Sequence, residues 1–109
     1  MDFAEYQEAA TRTKRSYKNK NFGLAVYSMG LAGEAGETVD YLKKVVGHDH
    51  DIEMSVVEKE LGDVLWYVAA LCDELGLDMS NVAQRNVDKL KKRYPEGFSA
   101  DASRNRAEA

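Results

Sequence analysis

Apolar side chains recur every three or four positions along most of the chain, and that period predicts a succession of helices. The first covers about residues 2–17: Phe3, Tyr6, Ala9, Ala10 and Thr13 share a side, and Asp2 is placed to cap it. The second covers about 21–46, with Leu24, Leu31, Ala35, Leu42 and Val45 as its stripe and Gly47 as its stop. The polar stretch 48–51 reads as a loop. The third, about 52–75, follows a capping Asp51 and carries Val57, Leu61, Val64, Leu65, Val68, Leu71 and Leu75; Gly76 ends it. The fourth, about 80–94, starts at Ser80 and carries Val82, Ala83, Val87 and Leu90. Pro95, the chain's one proline, forbids an easy continuation.

Residues 96–109 are polar apart from Phe98 and show no period. They read as an arm that packs on a partner subunit or as a disordered tail. No stretch alternates with the period of a strand. The expected architecture is therefore all-α: a four-helix bundle protomer from residues 1–95, followed by the polar tail 96–109.

Composition narrows the setting. A chain of 109 residues suits one domain, and one small enough to gain stability by pairing with copies of itself. Apolar residues make up 44% and charged residues 31%, a soluble globular balance. The net charge of −4 argues against broad nucleic-acid binding, which calls for a basic surface. The positive charges that exist gather late, at Arg85, Lys89, Lys91, Lys92 and Arg93. One cysteine, Cys72, allows no disulfide within the chain and sits among apolar residues, as a small core residue does. The opening residues lack the basic and apolar regions of a signal peptide, and no apolar run approaches the ~20 residues needed to span a bilayer. A cytoplasmic protein without membrane or nucleic-acid partners is expected.

The chemistry-bearing residues lie on the second and third helices. Glu34 and Glu37 are spaced i, i+3, and so are Glu60 and Asp63. Each pair shares a helix face, with Cβ atoms about 5–6 Å apart, beside the apolar stripe. Glu37 lies nine steps before Val46, or ~14 Å at the helical rise, and Glu60 lies eight steps after Ile52, or ~12 Å. If the two helices fold back across the loop, all four carboxylates converge. Two bare charges at ~4 Å repel by roughly 4 kcal/mol at an effective dielectric near 20, so such a group calls for a cation. Hard oxygen ligands suit Mg²⁺ or Mn²⁺, and Mg²⁺ is commonly shared between carboxylates and substrate phosphates. Gly33, Gly36 and Gly62 interleave with the acids although mid-helix glycine costs roughly 1 kcal/mol against alanine, which suggests close approach of a helix or a ligand. The competing reading is a solvated face whose acids pair with Lys43 or Lys44. A di-iron centre would need Glu-x-x-His, and the only histidines, His48 and His50, fall in the loop. The loop itself, His48-Asp49-His50-Asp51, is a weaker candidate for a metal.

The series Glu34-x-x-Glu37, 22 residues, then Glu60-x-x-Asp63 resembles the signature of the MazG-like all-α nucleotide pyrophosphohydrolases. Tyr67, one turn after Asp63, looks like the aromatic that this family places near the nucleotide. Asn86, Lys89, Arg93 and the following Tyr94-Pro95-Glu96-Gly97-Phe98-Ser99 look like the end of its last helix and trailing segment. The resemblance covers about residues 22–106. It implies a four-helix protomer in a homodimer or homotetramer, with Mg²⁺ held by Glu34, Glu37, Glu60 and Asp63 as the catalytic acids. It implies cleavage of a nucleoside triphosphate between the α and β phosphates by metal-activated water, with Tyr67, Asn86, Lys89 and Arg93 as substrate contacts. Some relatives carry a further Glu where this chain has Gly33, so a mechanism with a fifth carboxylate as base does not transfer. Two other functions stay open: a phosphohydrolase releasing Pi, which the acids alone do not separate from the first, and a non-catalytic helical interaction module, which small size, amphipathic helices and a polar tail would suit.

Overall fold

The computed structural model describes residues 1–106. The first helix, α1, is Phe3–Thr11. Asp2 caps it: its carboxylate accepts the Glu5 N–H at 2.8 Å, and the Glu5 carboxylate accepts the Asp2 N–H at 3.1 Å. The helix stops short of residue 17 because tertiary ties claim the chain beyond Thr11. The Tyr27 hydroxyl donates to the Arg15 carbonyl at 2.8 Å, and Lys14 Nζ reaches Asp73 at 2.6 Å and Glu74 at 2.8 Å. Those bonds hold the connector against the two following helices.

The long helix α2 is Lys20–Gly47, capped by Asn19, whose side chain accepts the Phe22 N–H at 2.8 Å. Helix α3 is Met54–Glu74. The expected cap, Asp51, is not used. Glu53 holds the N-cap position without a side-chain bond, and its N–H is taken by the Tyr41 hydroxyl of α2 at 2.8 Å. The end of α3 is closed by Gly76 at φ 69°, where Leu77 N–H meets the Cys72 carbonyl at 2.7 Å and Gly76 N–H meets the Asp73 carbonyl at 3.2 Å. This paired closure needs a left-handed residue, which glycine adopts freely.

Helix α4 is Met79–Arg93, starting one residue before Ser80. Its first turn is capped from α1: Gln7 Oε1 accepts the Met79 N–H at 2.7 Å, and Gln7 Nε2 donates to the Leu77 carbonyl at 2.9 Å. The tail holds a fifth helix, α5, Ala100–Arg104, with Ser99 Oγ accepting the Ala102 N–H at 3.0 Å. The segment read as an arm or disorder thus carries one short helix; Ala107–Ala109 lie outside the described residues. Among the described residues the protein is all-helical, with no strand and no helix long and apolar enough to cross a membrane.

α2 and α3 pack along each other, α1 packs on α3, and α4 packs on both α1 and α3. The core lies at that junction, where Ala69, Cys72 and Met79 are buried and Tyr6, Ala10, Leu65 and Val68 pack against them. The face of α2 that meets α3 is not the leucine stripe. It is the Gly23, Tyr27, Gly30 and Glu34 side, with Tyr27 buried to 2% exposure. Leu24, Leu31 and Val45 are half-buried, while Leu42 is exposed and Met29 and Val39 are each 65% exposed. The chain is thus more open than a four-helix bundle. Its radius of gyration is 17.0 Å, against about 13 Å for a compact domain of 100 residues.

Candidate metal centre

Three carboxylates meet where α2 and α3 run side by side. Glu34 and Glu37 stand one turn apart on α2, and Glu60 faces them from α3. One oxygen from each lies within 4.8 Å of the others. The register follows from the short 48–53 connection, which brings residues equally distant from it to one level. Burial, together with the carboxylates of Glu37, Asp63 and Glu60, pushes the Glu34 carboxyl above its ordinary value. Glu34 Oε2 and Glu60 Oε2 are shielded from solvent and have no hydrogen-bond partner. Shielded acceptors without donors are costly in a protein interior. A divalent cation would satisfy both and remove the repulsion, so the donor set fits a hard metal ion.

Asp63 stands outside this tight group. It is exposed, yet close enough for its charge to raise Glu34, and to add to the rise that burial gives the Tyr6 hydroxyl. Lys43 and Lys44 do not pair with the acids. Both turn to Asp40 instead, at 3.6 Å and 2.9 Å, which holds the Asp40 carboxyl below its ordinary value.

The glycines divide into two kinds. A Cβ on Gly30 would fall inside the Tyr67 ring, so that glycine exists to let α3 approach. A Cβ on Gly33, Gly36 or Gly62 would meet nothing within 4 Å. Gly33 and Gly36 wall a cavity of about 510 Å³ shared with Glu37, Glu60, Tyr41, Lys44 and Asp40. The larger part of the acid group therefore opens onto a groove wide enough for phosphate groups.

The other predicted residues are distributed along the fold. Tyr67 is half-buried against Gly30, with Trp66 and Tyr27 rings at 5.0 and 6.5 Å. Trp66 points elsewhere: its Nε1–H is shared by the Ala10 carbonyl at 3.0 Å and Thr13 Oγ1 at 2.9 Å, which makes it a tie to α1. Asn86 and Lys89 line a separate cavity of about 310 Å³ on α4 with Val82 and Arg85, and Arg93 is half-buried at that helix's end. His48 and His50 stand with ring centroids 6.2 Å apart and join no group of metal-ligating atoms among the described residues. Sequence reasoning passed over Tyr41, Lys44 and Asp40 as groove residues. The signal was present, since Tyr41 and Lys44 lie four and seven residues after Glu37, on the same side of α2.

Residues 23–98 match the profile of the MazG nucleotide pyrophosphohydrolase domain. The chain belongs to the MazG nucleotide pyrophosphohydrolase family. A similar protein, the Gene 37 protein of Mycobacterium phage L5, is 39% identical over 88 residues, which is 77% of each chain; its name states no activity. No solved structure matches the chain. The MazG segment begins in the first turn of α2 and runs past the end of α4, so it contains both acid pairs and the groove. Helix α1, with its ties to Trp66 and Met79, lies ahead of it. MazG membership makes the protein a hydrolase of the class that acts on nucleoside triphosphates.

Proposed function

We propose that the protein is a Mg²⁺-dependent pyrophosphohydrolase that cuts ribo- or deoxyribonucleoside triphosphates to the monophosphate and pyrophosphate. The observation that carries this reading is the meeting of Glu34, Glu37 and Glu60 around two partnerless, shielded carboxylate oxygens. These three would hold the ion, with Asp63 one turn from Glu60 as the fourth acid; Mn²⁺ suits the same oxygens. When bound, the ion supplies neutralisation of phosphoryl charge and a lowered pKa for an attacking water. The chain's own part is to orient. Glu34 is fixed on the α3-facing side of α2, and Gly33 and Gly36 keep the groove wall low beside it. Tyr67, held by the notch at Gly30, would offer its ring edge to the nucleotide.

Asn86, Lys89 and Arg93 would contact phosphates, lysine as a point charge and arginine through its fork. Within one protomer Asn86 and Lys89 line their own cavity on α4. A homodimer or homotetramer would both cover the apolar side chains left open on α2 and bring α4 of one copy toward the acids of another. The assembly reading is supported by the exposure of Met29, Val39 and Val46 and by the extended shape. Dilution below the assembly constant should then cut specific activity, and a flat response would contradict a shared site. A nucleoside triphosphate substrate would suit a cytoplasmic setting.

Alanine at Glu37 or Asp63 should lower turnover about 100-fold or more while leaving helicity intact by circular dichroism. Full activity in both variants would end this reading in favour of an interaction module.

A further inference from the structure

One cation on the acid groove has no task in that reading. Lys44 lines the same cavity as Glu37 and Glu60. It follows Glu37 by two turns on one side of α2, ~10.5 Å along the axis at the helical rise. Two of the acids proposed to hold the metal and one cation thus line a single groove, with Glu37 and Lys44 two helical turns apart along α2. The Lys44 ammonium lies 2.9 Å from Asp40 Oδ2, and Lys43 lies 3.6 Å from Oδ1 of the same carboxylate. The Asp40 and Lys44 side chains are 50% and 45% exposed, so the pair is solvent-screened and little is lost when it opens. Lys43 would keep Asp40 partnered after Lys44 leaves. Tyr41 lines the groove between Glu37 and Lys44; its hydroxyl accepts the Glu53 N–H at 2.8 Å and keeps its own proton to donate.

We propose that Lys44 binds the terminal two phosphates of the substrate and the pyrophosphate product, and that Asp40 restrains it until they arrive. This deepens the pyrophosphohydrolase reading and rests on it. No bond is made or broken: Lys44 exchanges one anionic partner for another. A lysine suits the task because a compact ammonium follows a phosphate group through several geometries. Asp40 opposes binding twice, by holding Lys44 and by repelling a polyanion. The two residues therefore act with opposite signs.

The test is calorimetry on the full chain with Mg²⁺ and either pyrophosphate or a nucleoside monophosphate as probe, beside a triphosphate turnover assay. Lys44→Gln should weaken pyrophosphate binding about 10-fold, the worth of one charge-assisted hydrogen bond, and leave the monophosphate within about twofold. Asp40→Asn should tighten pyrophosphate binding, and in the presence of Lys44→Gln the gain should shrink to the part that charge repulsion alone supplies. A thermal midpoint near that of the wild type controls for folding. Pyrophosphate binding unchanged by Lys44→Gln, or weakened equally with the monophosphate, overturns the proposal while an active wild type keeps the reading beneath it. A gain from Asp40→Asn of the same size with and without Lys44 overturns the restraint by Asp40. A wild type that neither turns over triphosphates nor binds pyrophosphate overturns both.

Discussion

Gly30 and Gly36 lie less than two turns apart on α2 and meet opposite surroundings. Gly30 is roofed by the Tyr67 ring, and the stretch around it is closed by Tyr27, Trp66 and the Lys14–Asp73–Glu74 ion cluster. Gly36 faces open groove among unpaired acids. One helix pair thus carries a packed half that fixes the angle of α2 on α3 and an open half that uses that angle. The closed half satisfies its polar groups internally; the open half leaves two carboxylate oxygens without partners. Natural proteins tolerate such a cost where a ligand offsets it, so the contrast separates residues that hold the fold from the residues proposed to act.

The sharpest way to break the comparison is Gly30→Ala. The added methyl must displace an aromatic ring, so unfolding free energy should fall by about 1–3 kcal/mol in urea titration. A neutral result would mean that Tyr67 has room to move and that the notch fixes nothing. Next in size is Trp66→Phe, which takes the indole N–H from Thr13 Oγ1 and from the Ala10 carbonyl, the latter still accepting from Thr13, and leaves a smaller ring; a loss of about 1–2 kcal/mol is expected with KM for nucleotide unchanged. A raised KM without loss of stability would make Trp66 a substrate contact instead. On the open half, Gly36→Ala should raise stability by up to about 1 kcal/mol, the propensity difference in a helix, and should raise KM because the methyl projects into the groove. A stabilised variant with wild-type KM would show that no ligand passes that wall.

The smallest effect is in pH. The Glu34 carboxyl is raised in the fold by burial and by Glu37, Asp63 and Glu60. Between its ordinary value and the raised one, the folded metal-free protein binds more protons than the unfolded chain. Its stability should therefore fall as pH rises through that window. A divalent ion held there, as proposed, would have to displace the same proton, so its affinity should weaken as pH falls, and saturating ion should flatten the thermal profile. A metal-free midpoint that rises through the window would contradict the sign.

Helix number two to four and their approximate ends were legible because α2, α3 and α4 are long and end at Gly47, Gly76 and Pro95. The convergence of Glu34, Glu37 and Glu60 was legible as register, since a short connection and a fixed rise leave little freedom. What periodicity could not give was set by tertiary contact. The end of α1 depends on Tyr27 and Lys14 reaching distant partners, the cap of α4 comes from Gln7, and the start of α3 is held by Tyr41. The leucines of α2 misled because the stripe that looked like the core is not the one α3 covers. Glycines and tyrosines make the closer approach, and leucines such as Leu42 are left for another surface.

The most direct measurement is product identity. The protein would be incubated with Mg²⁺ and a panel of ribo- and deoxyribonucleoside triphosphates, and the products resolved by anion exchange with and without EDTA. The account predicts monophosphate and pyrophosphate in equal amounts, lost on chelation. Diphosphate with Pi, or equal turnover in EDTA, would contradict it.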